Sequence, residues 1–284
     1  MSGRQKLAWR IMALERRLSG AVVPDTRKKD RKADKNGRPS PPQPPPPRPP
    51  AASVRLPEVP EIEDIEIPHL VEKGLFAAAT PVPGPDDLDG SSKADKLNAL
   101  RSWLGNCSRC RLSQGRTNVV FGEGNPEATL VFVGEGPGAD EDATGRPFVG
   151  RAGQLLNKMI EAMGIKRDDV YICNVVKCRP PENRAPSADE TAACGPVMYR
   201  QLEIISPQLI VSLGSPALLA LTERKEGISK MRGRLFRYGK SLLLPTYHPA
   251  YLLRNPAEKK TVWLDLKIAC ALLGLKPLSR SEPA

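Results

Sequence analysis

The sequence predicts an α/β fold, a central parallel sheet of four strands flanked by helices, preceded by a disordered N-terminal tail. After Asp95, four short apolar runs are bounded by turn residues, and each has the length of a strand buried on both faces. Stretches with helical spacing lie between these runs, and such alternation is typical of a parallel sheet. Before Asp95 the chain has 16 of its 30 prolines and none of its six cysteines, so that third is predicted to lie outside the folded domain.

The tail is predicted to cover residues 1–94. Its proline run PPQPPPPRPP at 41–50 removes the hydrogen-bond donors that a helix or sheet needs. An acidic stretch from Glu58 to Asp89 follows, with nine acids against the single Lys73. We expect the tail to be a linker or to bind an unidentified protein partner. Near the N-terminus, helical spacing in a basic segment predicts either a short docking helix or a frayed start: Leu7, Ile11, Leu14 and Leu18.

The folded part is predicted to be one domain covering residues 95–284. Its strands are predicted at 129–134, 170–175, 209–214 and 242–246. Its helices are predicted at 152–163, 188–205, 216–222 and 257–273. Ser187 is the expected cap of the second helix, and Pro216 opens the third. Because ligands bind beyond the carboxyl ends of strands in such sheets, we expect the active site there.

The charge of the chain favours a polyanionic partner such as nucleic acid. Residues 1–94 contribute 16 basic minus 13 acidic side chains, or +3 of the net charge of +11. Residues 95–284 contribute 27 minus 19, or +8, and ordinary solubility charge would produce the same balance. No run of about 18 apolar residues occurs, and charges interrupt the N-terminus where a signal peptide is apolar. We therefore expect a cytoplasmic protein in a reducing compartment that contacts no membrane.

Four of the six cysteines are predicted to bind a metal: Cys107, Cys110, Cys178 and Cys194. The first two form a C-x2-C pair in a polar loop, and the last two flank an irregular segment that contains RPPENRAPS. Four thiolates suit a zinc ion or a [4Fe–4S] cluster, and the spacing does not decide between them. Cys173, in a predicted strand, and Cys270, in the last helix, are interpreted as core thiols.

The segment GEGPGADEDATGRPFVG, residues 134–150, follows a predicted strand and leads into a helix. Its glycines are spaced as neither a dinucleotide-binding nor a P-loop motif. The glycines leave backbone donors approachable, and four acids stand near the aromatic Phe148: Glu135, Asp140, Glu141 and Asp142. General-base or positioning work is one interpretation of the acids, and a solvated acidic turn is the other.

Two further polar positions lie at predicted strand ends, Asn174 and His248. The segment around His248, PTYHPAYLLRNP, continues into a loop that combines apolar residues with a cation: Tyr251, Leu252, Leu253 and Arg254. An apolar wedge beside a cation is what a protein uses to push a base out of a duplex while it holds the phosphate. Ordinary packing of this loop against the last helix is the alternative.

Together these motifs resemble the family 4 uracil-DNA glycosylases, the iron–sulfur branch of that superfamily. The resemblance runs from Leu97 to Gly274 and rests on CSRCRL, GEGPG, GRPFVGRAGQLL, YICNVVKCRPPENR and PTYHPAYLLRNP. It implies a glycosylase-like fold and a base excision repair enzyme. Such an enzyme flips uracil out of single- or double-stranded DNA and hydrolyses its N-glycosidic bond, which leaves an abasic site. We then also expect a nucleoid-associated monomer.

The resemblance also implies roles for individual residues. The four cysteines named above match the ligands of a [4Fe–4S] cluster with a structural role. Phe148 matches the aromatic on which uracil stacks, Asn174 the amide that pairs with its edge, and His248 the histidine near uracil O2. Glu135 and Gly136 match the loop whose backbone donors approach the base. Glu141 matches an acid at the pocket edge that positions water or excludes the thymine methyl group.

Three features bear on the mechanism that this resemblance implies. Family 1 enzymes have an aspartate that acts on the catalytic water where Gly136 stands and an aromatic where Gly138 stands. The resemblance therefore does not assign the residue that activates the water. Members that trap themselves covalently use a histidine in an inserted basic loop, and the segment after Cys178 has none. No lysine in the motifs is an obvious Schiff-base nucleophile, which favours hydrolysis without strand cleavage. The alternative from another class is a non-catalytic iron–sulfur DNA-binding module.

Overall fold

A sheet of seven strands lies at the centre of the part of the chain that this computed structural model describes, residues 62–64, 82–84 and 86–278. The chain divides into two units, Met1–Glu58 and Val59–Ala284, and every described residue belongs to the second. The predicted N-terminal helix around Leu7 to Leu18 and the proline run at 41–50 lie outside the described residues.

The strands run in the order β1-β6-β7-β5-β3-β4-β2 across the sheet. Their bounds are β1 Ile62–Asp64, β2 Glu123–Gly124, β3 Leu130–Gly134, β4 Tyr171–Asn174, β5 Leu209–Leu213, β6 Leu235–Tyr238 and β7 Ser241–Thr246. The pairs β4·β3, β3·β5 and β5·β7 are all parallel, which confirms the predicted parallel sheet of four strands. Every residue of β3, β4 and β5 is buried, as expected for strands covered on both faces.

Three further strands extend this sheet beyond the prediction. β2 pairs antiparallel with β4, β6 pairs antiparallel with β7, and β1 pairs parallel with β6. β1 lies in the segment that was predicted to be disordered tail. An acidic triplet such as IED has no strand signature of its own, so its pairing depends on the partner strand β6.

Eight α-helices lie in the described part of the chain. Their bounds are α1 Lys93–Leu104, α2 Ala139–Thr144, α3 Arg151–Ala162, α4 Ala188–Ile205, α5 Ser215–Thr222, α6 Ile228–Met231, α7 Pro249–Arg254 and α8 Lys259–Leu273. The four predicted helices match α3, α4, α5 and α8 within two residues. Ser92 caps α1 by accepting from the backbone N–H of Asp95 at 3.1 Å, so the domain boundary predicted at 95 falls within this helix. No described helix is both long and apolar enough to cross a membrane.

The register of the sheet brings the strand ends together. Gly134 pairs with Asn174 across β3 and β4, and Leu213 pairs with Thr246 across β5 and β7. The residues that follow these positions therefore emerge at the carboxyl edge of the sheet. This edge is where the predicted active-site residues lie.

Candidate active site

The carboxyl edge of the sheet places polar residues from three strands around one region. Asn174 ends β4, Glu135 follows β3, and His248 follows β7 by two residues. Between them, Gly214 follows β5 with φ of 87°, and a Cβ there would lie 3.2 Å from Cβ of His248. The glycine therefore supplies both the left-handed backbone and the space that the histidine needs.

The side chain of Asn174 is buried but not satisfied. The residue is 1% exposed, and its Oδ1 has no hydrogen-bond partner among the described residues. An unpaired buried acceptor costs about 1–3 kcal/mol, and a bound group that donates to it would remove that cost. A Cβ on Gly134 would lie 2.3 Å from this Oδ1, so only glycine at the end of β3 leaves the amide its place.

Phe148 lies against the same glycine in an unusual backbone conformation. It is buried, its φ is 51°, and a Cβ on Gly134 would lie 2.6 Å from its Cζ. A bulky residue in the left-handed region stores about 1–3 kcal/mol of strain and persists only where its neighbours fix it. Its ring centroid is 5.5 Å from that of His248, so the ring edges the same region as the histidine.

His248 caps α7, and its hydrogen bond fixes the tautomer of the ring. The Nδ1 atom accepts from the backbone N–H of Ala250 at 3.1 Å. Burial, aided by the charge of Arg254, lowers the pKa of His248 to about 4, although Glu141 acts in the opposite direction. At neutral pH the ring is therefore uncharged and carries its proton on Nε2, which makes Nε2 a hydrogen-bond donor.

The carboxylate of Glu141 holds the loop around Phe148. One oxygen accepts from the backbone N–H groups of Val149 and Gly150, both at 2.9 Å, and the other accepts from Gly138 at 3.1 Å. Three backbone donors thus occupy the carboxylate that the sequence suggested for positioning water. This geometry makes Glu141 an anchor between the start of α2 and the residues after Phe148.

The acid Asp142 is also committed to the backbone, and Gly136 has no room for a side chain. Asp142 is buried and accepts from the backbone N–H of Thr117 at 2.9 Å. A Cβ on Gly136 would lie 2.8 Å from Cγ2 of Val176, so an aspartate here would require Val176 to move.

Burial raises the pKa of the half-buried Glu135, which makes this carboxyl a stronger base than an exposed glutamate.

The segment after His248 is a short helix, α7, and not the predicted loop. Leu252 is 1% exposed and belongs to the core, so its assignment to DNA contact is wrong in this arrangement. Leu253 is 36% exposed and Arg254 is exposed. Tyr251 stacks on Tyr247 with a centroid distance of 4.8 Å. Helical geometry turns Leu252 inward and leaves its neighbour outward.

The four predicted ligand cysteines line one cavity, although they come from distant parts of the sequence. The cavity is bordered by Cys107, Cys110, Cys178, Cys194, Arg109, Arg116 and Lys177, among others. None of the four forms a disulfide. Arg116 donates to Sγ of Cys178 at 3.3 Å, and the backbone N–H of Lys177 donates to Sγ of Cys194 at 3.2 Å. The donor set is therefore entirely thiol, with cations beside it.

Three of the four thiols lose their protons less readily than an exposed cysteine. Burial raises the pKa of Cys110, Cys178 and Cys194, the last to about 12. A bound metal must therefore displace protons from them. In the described residues, no group of three or more His, Cys, Asp or Glu side chains is arranged to hold a metal ion. Cys173 and Cys270 are buried away from this cavity, as predicted for core thiols.

A buried carboxylate ties the two cysteine loops together independently of any bound group. Glu190 accepts from Nε of Arg111, the residue after Cys110, at 2.9 Å. It also accepts from Nη2 of Arg184 at 2.6 Å. These bonds lower the pKa of Glu190, the Arg184 contact being the strongest cause. The loops that present the cysteines are therefore held by an ion-pair network.

The sequence did not point to three residues that contact the candidate site residues: Gly134, Lys177 and Arg167. Gly134 carried a usable signal, because glycine at the end of a buried strand indicates a close approach. Lys177 is 1% exposed, and its ammonium donates to the carbonyl of Asn174 at 2.8 Å and to Oε1 of Gln201 at 2.5 Å. Its ammonium is thus buried and hydrogen-bonded to two acceptors. Arg167 stands in a turn with no motif around it.

Comparison with known proteins identifies the family. The model of the Uracil DNA glycosylase superfamily matches residues 121–267. The type-4 uracil-DNA glycosylase of Thermotoga maritima is 56% identical over 170 residues, which are 59% of this chain and 88% of that protein. That of Sulfurisphaera tokodaii is 46% identical over 182 residues, 61% of this chain and 83% of that protein. That of Saccharolobus solfataricus is 43% identical over 194 residues, which are 65% of this chain and 90% of that protein. This chain therefore belongs to the uracil-DNA glycosylase superfamily and, within it, to the type-4 uracil-DNA glycosylases.

Proposed function

We propose that this chain removes uracil from DNA by flipping the base out and hydrolysing its N-glycosidic bond. The product is an abasic site, so the reaction is the first step of base excision repair. The observation that supports this most directly is the unpaired Oδ1 of Asn174, buried beside Phe148 and His248 at the carboxyl edge of the sheet. A flipped uracil supplies the donor that this oxygen lacks.

Asn174 is proposed to select uracil by pairing with its edge. Its Oδ1 accepts from uracil N3–H, and its amide nitrogen donates to O4. Cytosine presents an acceptor at N3 and a donor at N4. Its N3 would face Oδ1 of Asn174, acceptor against acceptor, and its amino group would face the amide N–H, donor against donor. Each mismatched group costs about 1–3 kcal/mol, so the amide alone disfavours cytosine.

Phe148 and His248 are proposed to hold the base and to stabilise the charge that develops on it. The ring of Phe148 offers a face for stacking, worth about 1–3 kcal/mol per base. Bond cleavage leaves negative charge on uracil O2 and positive charge on the sugar. The neutral His248 presents Nε2–H to that oxygen without carrying a full charge. The backbone N–H groups of Glu135 and Gly136 are proposed to approach the same base.

The attacking water is proposed to depend on Glu135 more than on Glu141. The carboxylate of Glu141 is occupied by three backbone donors, so its contribution is to position the Phe148 loop. Glu135 stands directly after β3, and its pKa is raised by burial, which suits a general base. Comparing Glu135→Gln with Glu141→Gln distinguishes the two roles. Loss of the general base changes the pH profile of the rate, whereas loss of a loop contact lowers the rate equally at every pH.

The exposed residues of α7 are proposed to contact DNA. Leu253 offers the apolar wedge and Arg254 the phosphate contact, while Tyr251, whose ring packs on Tyr247, is proposed to contact DNA from the first turn of the same helix. Leu252 is excluded because its side chain packs in the core.

The four cysteines are proposed to hold a [4Fe–4S] cluster. An all-thiol cavity beside cationic side chains fits a cluster whose total charge with its ligands is negative. Each thiolate of such a cluster binds a different iron, so the sulfurs surround a cavity. A zinc ion would need all four at one point. When bound, the cluster supplies structural order to the loops and takes no part in proton or electron transfer.

We propose further that residues 1–94, apart from β1 and the start of α1, modulate DNA affinity or bind a protein partner, and that the enzyme is a nucleoid-associated monomer. The proposed role of this N-terminal region rests on composition, because residues 1–48 contain 13 basic and four acidic side chains but none of the motifs.

A base-release assay tests the proposed function. Full-length protein is incubated with oligonucleotides containing uracil, hypoxanthine, a thymine mismatch or no damage, each in single- and double-stranded form. We expect uracil release, an alkali-labile site and no strand cleavage before alkali. Binding to DNA without release of any base would favour the non-catalytic module instead. Strand cleavage without alkali would overturn the hydrolytic mechanism.

A further inference from the structure

The strained loop at Phe148 is held from two sides. On one side, the carboxylate of Glu141 accepts from the N–H groups of the two residues that follow Phe148. On the other side, Arg167 donates to the carbonyl of Pro147 at 2.6 Å and to that of Phe148 at 3.3 Å. Arg167 lies 19 residues from Phe148 in the sequence, in the turn between α3 and β4.

Arg167 is itself fixed by two acceptors. Its Nη2 donates to Oε1 of Glu123 at 2.7 Å, and its Nη1 donates to Oδ1 of Asn157 at 2.7 Å. The side chain is 19% exposed. A planar guanidinium with its donors held in this way has little freedom left, so it can define the positions of the two carbonyls.

The orientation of Glu123 depends on a second arginine that does not touch the loop carbonyls. Arg146 donates to the two oxygens of Glu123 at 2.8 and 3.1 Å. Burial raises the pKa of Glu123, but the hydrogen bonds from Arg146 and Arg167 outweigh it and hold the pKa below its usual value. Arg146 and Arg167 thus share one carboxylate, while among the described residues the hydrogen bonds to the carbonyls of Pro147 and Phe148 come from Arg167. The chain therefore contains a matched control.

We propose that Arg167 is a positioning residue for the aromatic on which uracil stacks. This inference rests on the proposed function, because it assigns Phe148 to the flipped base. Arg167 supplies the donors that keep Pro147 and Phe148 in the strained conformation, and Glu141 supplies the opposing acceptor. Loss of Arg167 lets the loop relax toward negative φ, and the ring then leaves its place beside Asn174 and His248.

The test uses the full-length protein and three variants, Arg167→Met, Arg167→Lys and Arg146→Met. Three quantities are measured: the single-turnover rate of uracil release, inhibition by free uracil, and affinity for DNA with a tetrahydrofuran abasic analogue. We expect Arg167→Met to lower the rate about 5- to 150-fold, the factor that corresponds to the strain of a left-handed aromatic. Free uracil should inhibit it less, while affinity for the analogue, which has no base to stack, should stay within about twofold of wild type.

The other variants separate positioning from general stability. Arg167→Lys keeps the charge near Glu123 but cannot span both carbonyls and Asn157, so we expect an intermediate rate. Arg146→Met removes one of the two arginines on Glu123 but no hydrogen bond to the loop carbonyls, so we expect a clearly smaller loss of rate than in Arg167→Met. A wild-type rate in both Arg167 variants, or an equal loss in uracil release and analogue binding, overturns the inference. If Arg167→Met does not fold, the Lys variant alone decides. Absence of uracil release from the wild-type protein would instead contradict the proposed function.

Discussion

The ammonium of Lys177 donates a hydrogen bond of 2.8 Å to the backbone carbonyl of Asn174. Lys177 also borders the cysteine cavity, and its backbone N–H donates to Sγ of Cys194. One buried residue thus connects the cavity to the strand end that presents the amide proposed to pair with uracil. Through Lys177, a structural change at the cysteine cavity can shift Asn174 even if nothing in the cavity takes part in the reaction.

Replacing Lys177 with Met tests this link. The change leaves the carbonyl of Asn174 and Oε1 of Gln201 without their donor, at about 1–3 kcal/mol for each group that stays buried and unpaired. We expect a lower free energy of unfolding and a lower single-turnover rate of uracil release. Denaturant unfolding and the release assay measure the two effects. An unchanged rate in a folded variant would show that Asn174 keeps its position without Lys177.

The pKa of His248 predicts how stability depends on pH. The folded value of about 4 lies below the ordinary value of 6.5, so between these values the unfolded chain binds one proton more than the folded chain. The contribution of His248 to the free energy of unfolding is fully present above pH 6.5. It decreases as the pH drops toward 4, by at most about 1.4 kcal/mol per pH unit. Unfolding free energies of wild type and His248→Gln, compared from pH 7.5 to 5, should diverge in that direction. Parallel curves would contradict the depressed pKa.

His248 should also affect the rate without affecting DNA binding. We expect His248→Ala to lower the single-turnover rate of uracil release about 10²- to 10³-fold, the effect of losing one preorganised donor to a developing oxyanion. In the wild-type protein, titration of His248 should not alter the rate between pH 6 and 8, because the ring is neutral throughout. A pH profile that follows a histidine of ordinary pKa would refute the neutral-donor role.

Changing one cavity cysteine should remove the cluster and destabilise the domain. Purified protein should be brown, with about four irons and four acid-labile sulfides per chain, as a [4Fe–4S] cluster requires. Cys178→Ser should lose that iron and unfold at lower denaturant concentration, because binding of the group is coupled to folding. Cys270→Ala, at a buried thiol outside the cavity, is the control and should keep its iron. Stoichiometric zinc in anaerobically prepared wild-type protein would rule out the cluster.

Removing residues 1–58 should change DNA affinity but not chemistry. The cut falls at the boundary between the two units, and it spares β1 and α1, which a cut at residue 94 would damage. Loss of the basic segment should reduce the slope of log affinity against log salt concentration. The single-turnover rate at saturating enzyme should stay within about twofold of full length. A truncated protein that binds DNA normally but releases no uracil would contradict this division.

The sequence predicted the features that local patterns determine. The four central strands are continuous apolar runs, and α4 has a recognisable cap at Ser187, so both were found. The strand β6 was missed because its four residues include the exposed Arg237 and depend on pairing with β7 and β1. Leu252 was misassigned because a six-residue helix is too short to show which side of it is buried.

The site was predictable where a motif marks it and not where long-range contacts build it. Asn174 and His248 stand at predicted strand ends, so their proximity followed from the sheet. The left-handed conformation of Phe148 did not follow, because it depends on Glu141 and on Arg167, which meets Glu123 across 44 residues. Neither the strain nor the residues that hold it leave a signal in the local sequence.

Asn174 provides the sharpest prediction, because the selectivity of the enzyme depends on its amide. Asn174→Ala removes both hydrogen bonds to uracil and should abolish most uracil release with no gain on another base. Asn174→Asp should lose uracil activity as well, because an ionised carboxylate offers only acceptors and would oppose uracil O4. In the fraction that burial at this 1%-exposed position keeps protonated, the carboxyl can donate to cytosine N3 while it accepts from cytosine N4.

The measurement is single-turnover release of uracil and of cytosine by wild type, Asn174→Ala and Asn174→Asp, with iron content and circular dichroism to confirm an intact fold. We expect each lost or opposed hydrogen bond to reduce the uracil rate by about 5- to 150-fold, the factor that corresponds to about 1–3 kcal/mol. A trace of cytosine release is expected from the Asp variant alone, and Phe148→Ala should lower the uracil rate without changing the base preference. Wild-type uracil rates in both Asn174 variants would mean that the unpaired Oδ1 is a packing feature and that uracil binds elsewhere.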